Sequence, residues 1–182
     1  MKSLPLLTSF FFLATSALAQ NAPGHTWVLD SSSLTYHMSH PIHEVDATTH
    51  AAKGKGVCNA GMCDFLLAAP VKTFDSGDTN RDLHMLQVTR GADFPLVIVR
   101  FRIPESDTNS PTFDCDLEVQ FAGQTAHYTH VAFHQELRGT EHHITGVVPS
   151  TLTDFKIPPP SFLTVPIKNQ IPVKIDTMWH QQ

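Results

Sequence analysis

Apolar and polar residues alternate along much of this 182-residue chain, most clearly over Phe113–Phe121. There, apolar residues take every second position and acidic or amide residues fill the positions between, which predicts a strand with one buried face. Tyr128–Leu137 alternates as well, with Val131 and Phe133 on one face and Tyr128 on the other. Ala122-Gly123-Gln124 is predicted to join the two strands as a hairpin.

Further segments have strand-like patterns, and short turns rich in Gly, Asn, Ser or Pro link most of them. They are Thr26–Asp30, Ser33–Met38, Thr48–Val57, Cys63–Phe74, Pro95–Ile103, His142–Val148 and Ile171–Trp179. Helix is predicted over Asp78–Thr89, with Asp78 as the N-cap, and as a second candidate over Ser150–Phe155. Many strands with short connections and few helices indicate an antiparallel sandwich or a closed barrel, and closure would remove exposed strand edges.

The first 19 residues have the pattern of a secretory signal peptide, with Lys2 before an apolar run that ends in Ala17-Leu18-Ala19. That run is short for a membrane span of about 20 residues, and no later segment approaches this length. We therefore expect cleavage near Ala19 and a periplasmic or secreted mature chain without a transmembrane segment. Residues 20–182 have the size of one domain.

The chain carries a formal net charge of −5, and loss of Lys2 with the signal leaves −6. A mildly acidic chain is poorly suited to bind nucleic acid or anionic membranes through charge. A homodimer is compatible with this charge. The sequence contains none of the usual hydrolase, zinc-protease, P-loop or dinucleotide-binding motifs, so we expect a protein that is not an enzyme.

Cys58 and Cys63 flank the turn-like tetrapeptide Asn59-Ala60-Gly61-Met62. Two cysteines that face each other across a four-residue hairpin loop can meet disulfide geometry, and export permits such a bond. A redox-active pair is the alternative, although the spacing is not C-x-x-C. Cys115 lies at an apolar position of its strand, where a buried free thiol is expected.

Histidine is frequent, with twelve residues in the chain. A soft copper site could draw on His40, His43 and His84, together with Met38 or Met85. This would make the protein a periplasmic metal-binding or electron-transfer accessory. The competing interpretation is that these histidines are hydrogen-bonded surface or rim groups.

The segment Phe74–Pro95, with the sequence FDSGDTNRDLHMLQVTRGADFP, carries the order Ser76-Gly77, Arg81-Asp82, His84 and Phe94-Pro95. Before it stand Trp27-Val28-Leu29-Asp30, Ser33, Tyr36 and His40, and after it stand Leu152–Phe155 and Val173–Asp176. In this order, from about Thr26 to Asp176, the chain resembles the YceI-like family of lipocalin-like proteins that bind isoprenoids and other long-chain lipids.

The resemblance implies an all-β, lipocalin-like antiparallel barrel of about eight strands with one short helical insert. It implies a non-catalytic carrier without a cofactor, whose channel binds a polyisoprenoid, quinone-like or fatty-acyl chain. Arg81, Asp82 and His84 would form a polar rim that contacts a head group, or Arg81 and Asp82 would hold the insert in place. The residues expected to contact the lipid are Tyr36, Met38, Phe65, Leu67, Leu83, Leu86, Leu117, Val119, Val131, Phe133, Phe155 and Phe162.

Overall fold

The computed structural model describes residues 24–162 and 165–182, so the predicted signal peptide lies outside the described residues. The strands are β1 (Thr26–Ser39), β2 (Glu44–Thr49), β3 (Lys53–Asn59), β4 (Met62–Pro70), β5 (Leu96–Pro104), β6 (Thr112–Phe121), β7 (Gln124–Arg138), β8 (Glu141–Val148), β9 (Ser161–Phe162), β10 (Val165–Pro166) and β11 (Val173–Gln181). Helix α1 spans Thr79–Val88, and 3-10 turns span Val71–Thr73, Glu105–Asn109 and Thr153–Phe155. Among the described helices, none is long and apolar enough to cross a membrane.

Eight strands form a closed antiparallel barrel in the order β1-β3-β4-β5-β6-β7-β8-β11. The ring closes because β11 returns to pair with β1, from Trp27 opposite Gln181 to Tyr36 opposite Val173. Strand β2 is an extra strand that pairs with the second half of β1. The predicted lipocalin-like barrel of about eight strands with one short helical insert is confirmed.

Strand β1 is continuous where two strands were predicted, and a break in its register explains the difference. The pairing of β1 with β11 shifts between Leu29 and Ser31. This irregularity changes which side chains face inward, so the alternation breaks although the strand continues. In contrast, the predicted strand Thr48–Val57 divides into the end of β2 and the start of β3, because residues 50–52 connect the two.

A second irregularity lies in β7. Cys115 of β6 is opposite Val131, but Leu117 is opposite Tyr128, so β7 has one more residue in this interval than β6 has. The extra residue is a bulge in which His130 has a φ of 53° and donates its backbone N–H to the Asp116 carboxylate at 2.9 Å. Since a bulge reverses the facing of later residues, Tyr128 turns inward with Val131. The prediction that Tyr128 lies on the opposite face from Val131 was wrong.

The hairpin between β3 and β4 is tighter than predicted. Asn59 and Met62 still pair, so the turn consists of Ala60 and Gly61, both with positive φ, as a type I′ turn requires. Cys58 and Cys63 are direct cross-strand neighbours and form the predicted disulfide.

Buried sulfur groups occur at two places in the barrel wall. Trp27 donates its indole N–H to Sγ of Cys58 at 3.3 Å, and both residues are buried. Cys115 is a buried free thiol, as expected. Burial, together with the neighbouring Asp116 and Asp114, raises the pKa of the Cys115 thiol to about 12, which keeps the thiol protonated.

Aromatic rings pack against one another inside the barrel near the disulfide. Phe65 stacks on Phe101, with ring centroids 4.8 Å apart, and meets Trp179 edge-on at 5.6 Å. Two glycines of β3 make room for these rings: a Cβ on Gly54 would lie 2.5 Å from the Trp179 ring, and a Cβ on Gly56 would clash with the Phe65 ring. The glycines therefore allow close contact between backbone and rings at this end.

Candidate functional site

A cavity of about 700 Å³ occupies the inside of the barrel and extends under α1. It reaches from α1 to Trp27 and Thr108, which lie near the end of the barrel that carries the disulfide hairpin. The lining residues that are exposed to solvent are Asp78, Asn80, His84 and Ser161, so the cavity opens beside α1 and β9. Between the two ends the wall is mostly apolar.

Most of the residues predicted to contact a lipid lie on this wall. They come from β1, β4, β6, β7 and the 3-10 turn at Thr153–Phe155. They are Tyr36, Met38, Phe65, Leu67, Leu117, Val119, Phe133 and Phe155. The side chain of Phe162 lies outside the described residues. Val131 is buried in the core and does not line the cavity.

Helix α1 presents a different face from the one predicted. Arg81, Met85 and Val88 line the cavity, at the spacing of one helical face. Leu83 and Leu86, which were expected there, do not line it: Leu83 is 53% exposed, and the Leu86 side chain packs over Gly91. These two leucines therefore lie off the face of α1 that lines the cavity.

Strand β5 supplies wall residues that the sequence analysis missed. Val97, Val99, Phe101 and Ile103 all line the cavity. The unbroken apolar run over residues 96–99 hides the facing of these side chains, because both strand faces carry apolar groups. The alternation of Phe101 and Ile103 with two arginines could have revealed it.

At the opening, Ser76 holds Arg81 and Asp82 together. Arg81 donates from Nε to Oγ of Ser76 at 2.8 Å and from Nη2 to the Ser76 carbonyl at 2.9 Å. The Ser76 hydroxyl and backbone N–H both donate to Oδ1 of Asp82, at 2.6 and 3.1 Å. Asp78 caps the helix by accepting from the N–H groups of Asn80 and Arg81. These bonds fix the helical insert, and they leave Arg81 on the cavity wall.

Tyr36 stands below this opening and packs against Phe74, with ring centroids 5.7 Å apart. Burial and the nearby Asp82 raise the pKa of the Tyr36 phenol and Arg81 lowers it, with a net rise to about 12. The phenol is therefore a neutral hydrogen-bonding group at ordinary pH.

The histidines of the metal alternative occupy different settings. His40 and His43 form a small turn through mutual backbone hydrogen bonds, with ring centroids 5.2 Å apart. His43 and His84 line the cavity, whereas His40 does not. Within residues 24–162 and 165–182, no group of three or more His, Cys, Asp or Glu side chains is placed to hold a metal ion. The metal-binding alternative is not favoured.

The inner end of the cavity carries polar side chains that the sequence analysis did not single out. His142, Gln135 and Thr108 line it there, and we call these three residues the inner polar patch. His142 is 8% exposed, and its ring meets the Trp27 ring edge-on at 4.7 Å. Burial lowers the pKa of His142, although the nearby Thr108 carbonyl raises it, and the net lowering favours the neutral imidazole.

A closed antiparallel barrel with a helical insert over an apolar cavity defines a lipocalin-like barrel fold. Several solved structures share this fold. A polyisoprenoid-binding domain from Saccharophagus degradans, implicated in plant cell wall breakdown, has a TM-score of 0.72 and 12% identity, over 86% of this chain and 98% of that chain. BcnA from Burkholderia cenocepacia has a TM-score of 0.68 and 11% identity, over 81% of this chain and 95% of that chain.

The YceI protein of Campylobacter jejuni has a TM-score of 0.51 and 12% identity, over 98% of this chain and 97% of that chain. No family model matches the sequence, and no curated protein matches it. At such low identities the likeness shows the fold. The YceI-like resemblance predicted from the sequence is therefore confirmed at the level of the fold.

Proposed function

We propose that this protein is an exported, non-catalytic carrier that binds one long-chain apolar lipid in the barrel. The observation that carries the proposal is the apolar cavity of about 700 Å³ that opens beside α1. The Saccharophagus degradans neighbour, described as polyisoprenoid-binding, supports the same ligand class. A polyisoprenoid, a quinone-like lipid and a fatty-acyl chain all fit this description.

An apolar wall is sufficient for such a ligand. Each methylene that leaves water contributes about 0.8 kcal/mol, so a long chain binds with few polar contacts. Val99, Phe101 and Val119 lie on neighbouring strands of the wall and offer no hydrogen-bonding groups to the ligand. The same wall disfavours polar ligands, which would lose their hydration without compensation.

A charged or strongly hydrated head group of the ligand would lie at the opening. Arg81 uses Nε and Nη2 to hold Ser76, and Nη1 takes no part in those two bonds. His84 and Asn80 lie beside it on the cavity wall. Together they give a head group donors close to solvent, where a charged or hydrated group is not stripped of water.

Two features support export. The first 19 residues have the signal-peptide pattern. The disulfide between Cys58 and Cys63 is the kind of bond that persists in oxidising compartments. Cell fractionation of a tagged full-length chain, with N-terminal sequencing of the product, would test both export and the cleavage position.

The binding test uses a variant that fills the cavity. Val99→Trp places a large ring on the inner wall, whereas Val147→Trp places the same ring on the outer face of β8, where Val147 is 50% exposed. Native mass spectrometry detects lipid that copurifies, and a fluorescent polyene fatty acid measures binding in solution. We expect lipid and probe on the wild type and on Val147→Trp, with at least a tenfold weaker affinity for Val99→Trp.

Circular dichroism should show that both variants fold. A wild-type protein that carries no lipid and binds no probe would overturn the proposal. Equal binding by Val99→Trp would show that the ligand lies elsewhere.

A further inference from the structure

The inner polar patch stands out because most of the deep cavity wall is apolar. The buried Thr177 also lines the cavity, but its hydroxyl donates to the Ile144 carbonyl at 3.3 Å. Trp27, Phe65, Phe101 and Phe113 surround this end. The charged residues that line the cavity, Asp78 and Arg81, belong to the opening. The inner polar patch is therefore a neutral polar site at the position that the buried end of a ligand would reach.

Thr108 is fully engaged with protein groups. Its hydroxyl donates to the Glu105 carbonyl at 2.8 Å, and its own carbonyl accepts from Nε2 of Gln135 at 2.6 Å. These bonds fix the side chain of Gln135 across the end of the barrel. Its Oε1 oxygen takes no part in the bond to Thr108.

The side chain of His142, in contrast, has a nitrogen without a hydrogen bond to the protein. Its Nδ1 atom is buried and has no hydrogen-bond partner among the described residues. A buried polar atom without a partner is unfavourable, so a group that supplies the missing hydrogen bond is stabilised there relative to a methyl group. A neutral imidazole has one donor and one acceptor nitrogen, which suits a hydroxyl or a carbonyl better than an anion.

We propose that the inner polar patch binds a neutral oxygen, a hydroxyl or carbonyl, on the buried end of the ligand. This inference rests on the proposed lipid-binding function and narrows its ligand class. The carrier would prefer chains with a hydrogen-bonding group at the end that enters first over chains that end in a methyl group. Such an oxygen is found at the far end of an ω-hydroxy fatty acid and on the ring of a quinone that enters ring first.

The test compares ligands that differ only in this oxygen. Displacement of the fluorescent fatty acid is measured with hexadecanoic acid and 16-hydroxyhexadecanoic acid, and in a second arm with decylubiquinone and an alkylbenzene of similar length. One buried hydrogen bond corresponds to about a tenfold change in affinity. We therefore expect the oxygen-bearing member of at least one pair to bind the wild type about tenfold more tightly. The pair that shows this difference tells whether the oxygen that binds the patch is that of a hydroxy fatty acid or that of a quinone.

Variants of His142 test whether the preference for oxygen-bearing ligands arises from the inner polar patch. His142→Phe keeps an aromatic ring against Trp27 but removes the nitrogens, and His142→Gln keeps a hydrogen-bonding group. We expect the preference to disappear in His142→Phe and to persist in part in His142→Gln. A merely structural role of His142 would weaken both members of a pair equally. Gln135→Leu provides an independent variant if His142→Phe fails to fold.

The outcomes separate this inference from the proposed function. If neither member of any pair displaces the probe, and the probe itself does not bind, the lipid-carrier proposal fails. If all ligands bind without preference for the oxygen-bearing member, or if the preference survives in His142→Phe, only the inference about the inner polar patch is overturned.

Discussion

The hydroxyl of Tyr128 donates a hydrogen bond to Oδ2 of Asp154 at 2.8 Å. The same carboxylate oxygen accepts from the backbone N–H of Thr151 at 2.8 Å. This contact ties β7 to the 3-10 turn at Thr153–Phe155, and Tyr128, Thr151 and Phe155 all line the cavity. The bulge in β7 makes the contact possible, because it turns Tyr128 inward.

Loss of this contact should weaken the fold. Tyr128→Phe removes one hydrogen bond to a charged group, which is partly exposed, so we expect a loss of about 1 kcal/mol in the free energy of unfolding. Urea denaturation at neutral pH measures the change. Asp154→Asn should lose a similar amount, and the double variant should lose less than the sum of the two. Stability of Tyr128→Phe equal to that of the wild type would contradict the prediction.

The same pair predicts a dependence on pH. Burial raises the pKa of the Asp154 carboxyl, but hydrogen bonds from Tyr128 and Thr151 outweigh it and hold this pKa below its usual value of 3.8. A carboxyl with a lowered folded-state pKa stabilises the fold above its unfolded pKa, and this contribution is lost as pH falls through the folded pKa. Below about pH 4, stability should fall more steeply in the wild type than in Asp154→Asn. Parallel curves for the two proteins in denaturation from pH 6 to pH 2 would rule this out.

Reduction of the disulfide should destabilise the barrel moderately. Cys58 and Cys63 close a loop with a sequence separation of 5. On the chain-entropy model so small a loop corresponds to about 2 kcal/mol. Guanidinium denaturation with and without a reducing agent measures this difference. The control is the double variant Cys58→Ala, Cys63→Ala, whose stability should not respond to the reducing agent.

Cavity size predicts a limit on the length of the ligand. If a methylene occupies about the volume of a water molecule in the liquid, roughly 30 Å³, the cavity of about 700 Å³ holds roughly 20 to 25 carbons. In probe displacement, affinity should rise from farnesol to geranylgeraniol and then level off for solanesol, whose extra units would protrude beside α1. A further steep rise for solanesol would mean that the cavity lengthens on binding.

The barrel could be predicted from the sequence because alternation and turn chemistry act locally. Phe113–Phe121 alternates without interruption, and it forms most of β6. Asp78 was predicted as the N-cap of α1 and holds that position. The cysteine pair was recognisable because its spacing suits a hairpin.

The facing of individual residues was harder to predict. The bulge at His130 inverts β7 without any change in composition, so Tyr128 was assigned to the wrong face. Leu83 and Leu86 were placed on the cavity side of α1 because they are apolar, whereas the face that lines the cavity carries Arg81, Met85 and Val88. An inward apolar residue such as Val99 also looks the same in sequence whether it packs against others or borders empty space. The inner polar patch joins Gln135 and His142 of the β7–β8 hairpin to Thr108 of an earlier 3-10 turn, and no local pattern connects that turn to the hairpin.

The pairing of β1 with β11 brings together residues 150 positions apart, as at Asp30 and His180, whose side chains are 2.8 Å apart. Contacts of such high sequence separation form late, since the entropy of a large loop opposes them. During synthesis the ring stays open until the last strand has emerged, with the edges of β1 and β8 unpaired. A chain shortened by its final ten residues would lack all of β11 and would enclose no cavity, so the proposed ligand site exists only once the ring has closed.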